Sequence, residues 1–219
     1  MERITEHQQS IFEWANREKP DNQDQLVGSE TDPDASPSQL DILREQCLAC
    51  QRCILRKGCK QVVFGDGNPS ASLMLIGEGP GADEDRIGIP FVGRAGQLLD
   101  RILDAAKIKR SDIYIANIVK CRPPGNRLPL QPEVDACLPY LQKQIALINP
   151  EIIVCLGALA MRTLIDKKSA ISRSRGQWSF REGRRIIATY HPAALLRDPS
   201  RKKDVWTDFK EIMSYYHPA

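Results

Sequence analysis

The stretch LMLIGEGPGADEDRIGIPFVGRAGQLLD, residues 73–100, decides the fold class. Leu73–Ile76 is an unbroken apolar run too short for a helix, as expected of a strand covered on both faces; beyond a glycine-rich loop, apolar residues recur at helical spacing over 95–107. Outward from there the same alternation continues. Ile113–Val119, Ile152–Leu156 and Ile186–Thr189 read as strands, and helices are expected over 132–148, 158–166 and 203–216. Pro132 beside Glu133 suits a first helical turn, and Asn149-Pro150 stops that helix. The pattern predicts an α/β class: a three-layer α/β/α sandwich around a mainly parallel sheet of about four strands. In such folds the site lies in loops beyond the carboxyl ends of the strands. Here those loops are Gly77–Gly96, Lys120–Leu130, the segment from Gly157 onward, and Tyr190–Arg197.

The chain has 219 residues and a formal net charge of +3, which hides an asymmetry. Residues 1–40 carry three basic and nine acidic side chains, a balance of −6, so the remainder carries +9. A basic body suits a polyanionic partner. Residues 15–39 are rich in Asp, Glu, Gln, Ser and Pro with hardly any large apolar side chains to offset chain entropy. Residues 1–40 are therefore expected to be an acidic, disordered tail, and 41–219 the folded domain. No run approaches the roughly 20 apolar residues of a bilayer crossing, and the amino terminus lacks the order of a signal peptide. No membrane association is expected, and the expected location is cytoplasmic. Seven cysteines in that setting point to metal ligation, catalysis or burial rather than disulfides.

The loop Gly77–Gly96 bends sharply and carries Glu78, Asp83, Glu84 and Asp85. It is no phosphate loop, since it lacks GKS or GKT; a magnesium site is a rival reading. Asn117 ends a strand and can offer a donor and an acceptor to a planar base edge, or simply cap a turn. Of three histidines only His191 sits at a strand-loop junction. Cys47, Cys50 and Cys53 form overlapping C-x-x-C pairs, and Cys121 and Cys137 follow with fifteen residues between them. Spacing leaves zinc and iron-sulfur both open. Cys155 lies in an apolar strand and reads as a core residue, and Cys59 has no assignment.

VVFGDGNPSASLMLIGEGPGADED (62–85), GIPFVGRAGQLL (88–99), NIVKCRPPGNRLP (117–129) and YHPAALLR (190–197), in this order and spacing, closely resemble the family 4 uracil-DNA glycosylases, the iron-sulfur branch of their superfamily. The likeness spans about residues 50–200. It implies an α/β/α sandwich, a 4Fe-4S cluster, and excision of uracil from single- or double-stranded DNA to leave an abasic site; a monomer is expected. The implied cluster ligands are Cys50, Cys53, Cys121 and Cys137, with Cys47 and Cys59 outside the family pattern. The implied catalytic residues are Glu78 and His191, the latter at the 2-oxo oxygen. Gly79, Glu84, Phe91 and Asn117 are implied at the uracil, Phe91 as its stacking face and Asn117 on its Watson-Crick edge. Arg122, Arg175, Leu195, Leu196 and Arg197 are expected on DNA, with Leu195 or Leu196 filling the gap left by the extruded base. Other branches have an Asp near the loop start to orient water. Here Gly79 stands there, and Glu78 is the nearest candidate, either for that task or for bracing the loop. Two rival readings are a uracil-DNA binder without turnover and a zinc-stapled metal-dependent hydrolase. The run Phe91–Gly96 lacks the inserted His-containing loop of relatives that trap DNA covalently.

Overall fold

The computed structural model describes residues 38–217. The expected acidic tail lies outside the described residues except for Ser38, Gln39 and Leu40. The Ser38 hydroxyl accepts from the Asp41 amide (3.2 Å) and the Ser38 amide donates to the Asp41 carboxylate (3.2 Å). This capping box starts α1 (Gln39–Leu48), so Ser38–Leu40, expected as the end of the tail, take part in a helix start.

Among the described residues six strands form one sheet: β1 (Asp66–Gly67), β2 (Leu73–Gly77), β3 (Tyr114–Asn117), β4 (Ile152–Leu156), β5 (Trp178–Arg181) and β6 (Arg184–Thr189), in the order β1-β3-β2-β4-β6-β5. The inner four are parallel and coincide with the four expected strands; antiparallel β1 and β5 add the edges. Neither edge strand announces itself in sequence. β1 has two residues, too few for any period. β5 is half-exposed and depends on a tight turn into β6 at Glu182-Gly183, where both φ angles are positive (51° and 77°), the conformation of a primed hairpin turn.

The helices are α2 (Leu55–Gly58), α3 (Ala82–Ile87), α4 (Arg94–Ala105), α5 (Gln131–Ile148), α6 (Ala158–Leu164), α7 (Ile171–Ser174), α8 (Pro192–Arg197) and α9 (Lys202–Met213). The one-turn helices α3 and α8 lie within segments expected to be loops. Along β2 the side chains alternate: Leu73 and Leu75 join the core under α4 and α9, Met74 and Ile76 the core under α1, α5 and α6. Burying each such side chain is worth about 1.5–3 kcal/mol, so a strand covered on both sides reads as a continuous apolar run. β2 leads into α4 on one face, whereas β4 leads into α6 on the other. The loops therefore part between β2 and β4, and a crevice opens at their carboxyl ends.

Candidate active site and cysteine cavity

That crevice is a cavity of about 660 Å³ whose lining includes Glu78, Gly79, Glu84, Phe91, Asn117, His191 and Arg197. Backbone register does much of the assembly. Gly77 lies opposite Asn117 at the ends of β2 and β3, and the pairing continues through Ile118 N–H to the Gly77 carbonyl. A Cβ on Gly77 would sit 2.4 Å from Asn117 Oδ1 and 2.6 Å from the Phe91 ring, so only glycine admits both neighbours. Phe91 adopts the left-handed conformation (φ 54°), and a Cβ at Gly96 would fall 1.9 Å from its carbonyl oxygen. So held, the Phe91 ring stacks on His191, with centroids 5.4 Å apart and planes at 30°.

Asn117 is 2% exposed, and its Oδ1 is a buried acceptor without a hydrogen-bond partner. Leaving such an atom unpaired costs about 1–3 kcal/mol, a cost that a ligand donor would remove. His191 caps α8: its Nδ1 accepts from the Ala193 amide (3.1 Å), which leaves the proton on Nε2. Burial, assisted by the Arg197 charge, pushes the His191 pKa down to about 4. Glu78 is half-buried, and burial raises its pKa against the opposing pull of Arg197.

Glu84 lines the cavity, but its carboxylate accepts from the amides of Gly81 (3.0 Å), Val92 (3.0 Å) and Gly93 (2.8 Å). It shapes the loop rather than facing a base. Asp85 similarly accepts from the Lys60 amide at 2.8 Å. Two carboxylates of the acidic loop are thus committed to backbone amides, which leaves Glu78 and Asp83 as the loop's other carboxylates at the cavity.

The residues expected on DNA divide. Leu196 is 39% exposed and Arg197 lies beside it at the rim, whereas Leu195 is wholly buried in the core against α4 and α9. Only Leu196 of the pair can enter a duplex. Arg175 is also corrected: its guanidinium is bound to Asp208 (2.8 and 3.0 Å), which in turn accepts from Thr189. It fastens α9 to the end of β6. Arg122 donates to Asn126 Oδ1 (2.7 Å) on the loop after β3. The cavity also gathers Arg94, Arg127 and Leu128, which the sequence did not single out. Lys120 carries no motif to mark it. It is fully buried, and its Nζ donates to the Asn117 carbonyl (2.9 Å) and to Gln144 Oε1 (2.6 Å), bracing the strand end that carries Asn117. Its only sequence signal is a charge directly after the apolar Ile113–Val119 run.

On the far side of Lys120, Cys50 and Cys53 from the α1–α2 connection meet Cys121 and Cys137 around a second, small cavity. It is also lined by Cys47 and walled by Leu55, Val62 and Val119. Amides point at two of the sulfurs: Lys120 N–H at Cys137 (3.3 Å) and Arg52 N–H at Cys50 (3.5 Å). At Cys137 burial raises the thiol pKa, against the opposing pull of the Lys120 charge and amide. Cys59 contacts Arg56 and is also a side-chain hydrogen-bond partner of Cys121, and Cys155 is buried in β4 as expected.

Residues 64–210 match the family model of the uracil DNA glycosylase superfamily. A type-4 uracil-DNA glycosylase of Thermotoga maritima is 42% identical over 180 residues, covering 80% of this chain and 94% of that protein. One of Sulfurisphaera tokodaii is 41% identical over 182 residues, covering 79% and 83%. A type-5 uracil-DNA glycosylase of Pyrobaculum aerophilum is more distant, 31% identical over 146 residues, with 59% and 64% covered. With a cavity built at the ends of β2, β3 and β6 and this breadth of likeness, the chain belongs to the uracil-DNA glycosylase superfamily, in its type-4 branch.

Proposed function

We propose that the protein excises uracil from DNA, cleaving the bond between the base and C1′ of its deoxyribose and leaving an abasic site. The observation that carries this reading is the unpaired, buried Oδ1 of Asn117 beside the Phe91–His191 stack. Uracil presents N3–H to such an acceptor and its 4-oxo oxygen to the same side chain's amide, while its face lies on Phe91. The base must leave the duplex to arrive there, at a cost of a few kcal/mol, and Leu196 fills the space it vacates. As the glycosidic bond breaks, its electron pair passes to uracil, and His191 Nε2–H donates to the 2-oxo oxygen where charge gathers. Water adds to the oxocarbenium carbon and its released proton passes to solvent, from which the departing uracil anion takes one up. Glu84 already braces the loop, which leaves Glu78 to orient that water.

The single experiment is excision on a labelled oligonucleotide with one uracil, followed by alkaline cleavage. Strand scission dependent on uracil, unaffected by EDTA, is expected. Binding without scission would support the non-catalytic rival, and loss in EDTA the metal-dependent one.

We further infer that Cys50, Cys53, Cys121 and Cys137 hold a 4Fe-4S cluster. Four thiols gathered around one cavity with apolar walls suit a cubane. When bound, the cluster ties the segment between α1 and α2 to the loop after β3, a structural service that requires no redox cycling. The protein is expected to purify brown, with about four irons per chain. Cys50→Ser should lose the iron and Cys47→Ala retain it. One zinc and no iron would refute the assignment, and the reverse mutant pattern would move the first ligand pair to Cys47 and Cys50.

A further inference from the structure

The loop after β3 holds an apolar side chain that the fold does not use. Leu128 is 65% exposed, well beyond Leu196, and lines the same cavity as Asn117 and His191. One exposed leucine marks nothing by itself. What distinguishes Leu128 is the bracing beneath it. The Arg127 guanidinium meets the buried Glu133 carboxylate through two parallel bonds (2.8 and 2.6 Å). Its Nη1 also donates to the Leu128 carbonyl (2.9 Å), and Glu133 Oε2 accepts from the Leu130 amide (2.7 Å). Pro129 stiffens the same turn. The backbone on both sides of Leu128 is therefore fixed, and an apolar tip is held toward solvent at the rim of the uracil cavity. A loop needing only solubility would place a polar residue there.

Its position suggests the use. In the sheet order, β3 and β6 are separated by β2 and β4, so the loops after β3 and β6 rise on opposite sides of the crevice with bases about 14 Å apart. Leu196 stands on one side and Leu128 on the other. We propose that Leu128 is a second wedge, inserted into double-stranded DNA at the base step next to the gap filled by Leu196, so that the duplex is held open from two sides while uracil occupies the cavity. Preorganisation matters because a tip already fixed loses little freedom on insertion. A single strand has no stacked partner strand to part, so the wedge acts on duplex substrate above all.

This inference rests on the uracil-excision reading, and its test separates the two. Single-turnover excision is measured for one uracil strand, alone and annealed, with the parent protein, Leu128→Ala, Leu128→Phe and Leu196→Ala. Leu128→Ala should lower the duplex-to-single-strand rate ratio about tenfold. Leu128→Phe should keep the ratio near the parent value, which a merely structural role would not predict. A 2-aminopurine beside the uracil should brighten on binding the parent and the Phe variant and less with Leu128→Ala. Melting temperatures should agree among the Leu128 variants, since the side chain is exposed. If Leu196→Ala lowers the ratio and Leu128→Ala does not, the second wedge is refuted while excision by base extrusion stands. Equal loss on both substrates, or no duplex activity in the parent, also refutes it. No excision at all by the parent would overturn the underlying reading instead.

Discussion

Asn117→Asp should reduce the single-turnover rate of uracil excision by on the order of 10³ in protein that still folds, although the buried charge lowers its melting temperature. The two side chains have the same shape, so the packing that Gly77 allows around Oδ1 survives the change. What changes is chemistry. Asn offers a donor for the 4-oxo oxygen and an acceptor for N3–H, whereas an ionised Asp only accepts. It would face the 4-oxo oxygen with a second acceptor and repel the anion that forms as the bond breaks. Asn117 is 2% exposed, so water cannot screen the mismatch. An acceptor facing the amino group of cytosine is a better match, and a low cytosine-excising activity should emerge. Phe91→Ala, by contrast, should slow uracil excision without creating that activity. Unaltered uracil excision by Asn117→Asp would show that this side chain does not read the base.

His191→Ala should lower the single-turnover rate by about 10²–10³ while DNA affinity changes little, because the bond to the 2-oxo oxygen strengthens as charge develops there. Loss of affinity at an unchanged rate would make His191 a binding residue. The pH dependence follows from its pKa of about 4. Between pH 8 and 6 the imidazole stays neutral, so the rate should not rise as pH falls; a steep rise carried by His191 would identify an imidazolium donor. At lower pH the rate should fall as Glu78 takes up a proton, at a pKa that burial holds above its ordinary value. The stability sign is worked the same way. The folded pKa lies below the unfolded value of about 6.5, so the unfolded chain binds a proton first. The parent should therefore lose stability relative to His191→Ala as pH falls from about 6.5 to about 4, and a constant difference over that interval would show that the ring is not held neutral.

Most of the framework could be read directly from the chain. The four inner strands stand out because each is covered on both faces, and Pro132 and Asn149 mark the ends of α5 because their backbone preferences are local. The loops that carry Glu78, Asn117 and His191 follow from the rule that parallel strands deliver their sites at one end. All three side chains do meet in one cavity.

What sequence by itself determined is this framework and the chemistry available at its strand ends, since burial, turn preference and side-chain type act over a few neighbouring residues. Tertiary structure alone decided how that chemistry is allotted. Leu195 and Leu196 are identical and adjacent, yet the turn of α8 sends the first into the core and leaves the second at the rim. Glu84 and Glu78 share one loop, but three amides, two of them eight and nine residues away, claim the first. Arg175 is bound to a carboxylate 33 residues on, and Lys120 to an amide 24 residues on. Each outcome turns on which distant partner arrives within hydrogen-bond reach, and that is set by how strands and helices pack, not by any pattern a local stretch of chain can carry.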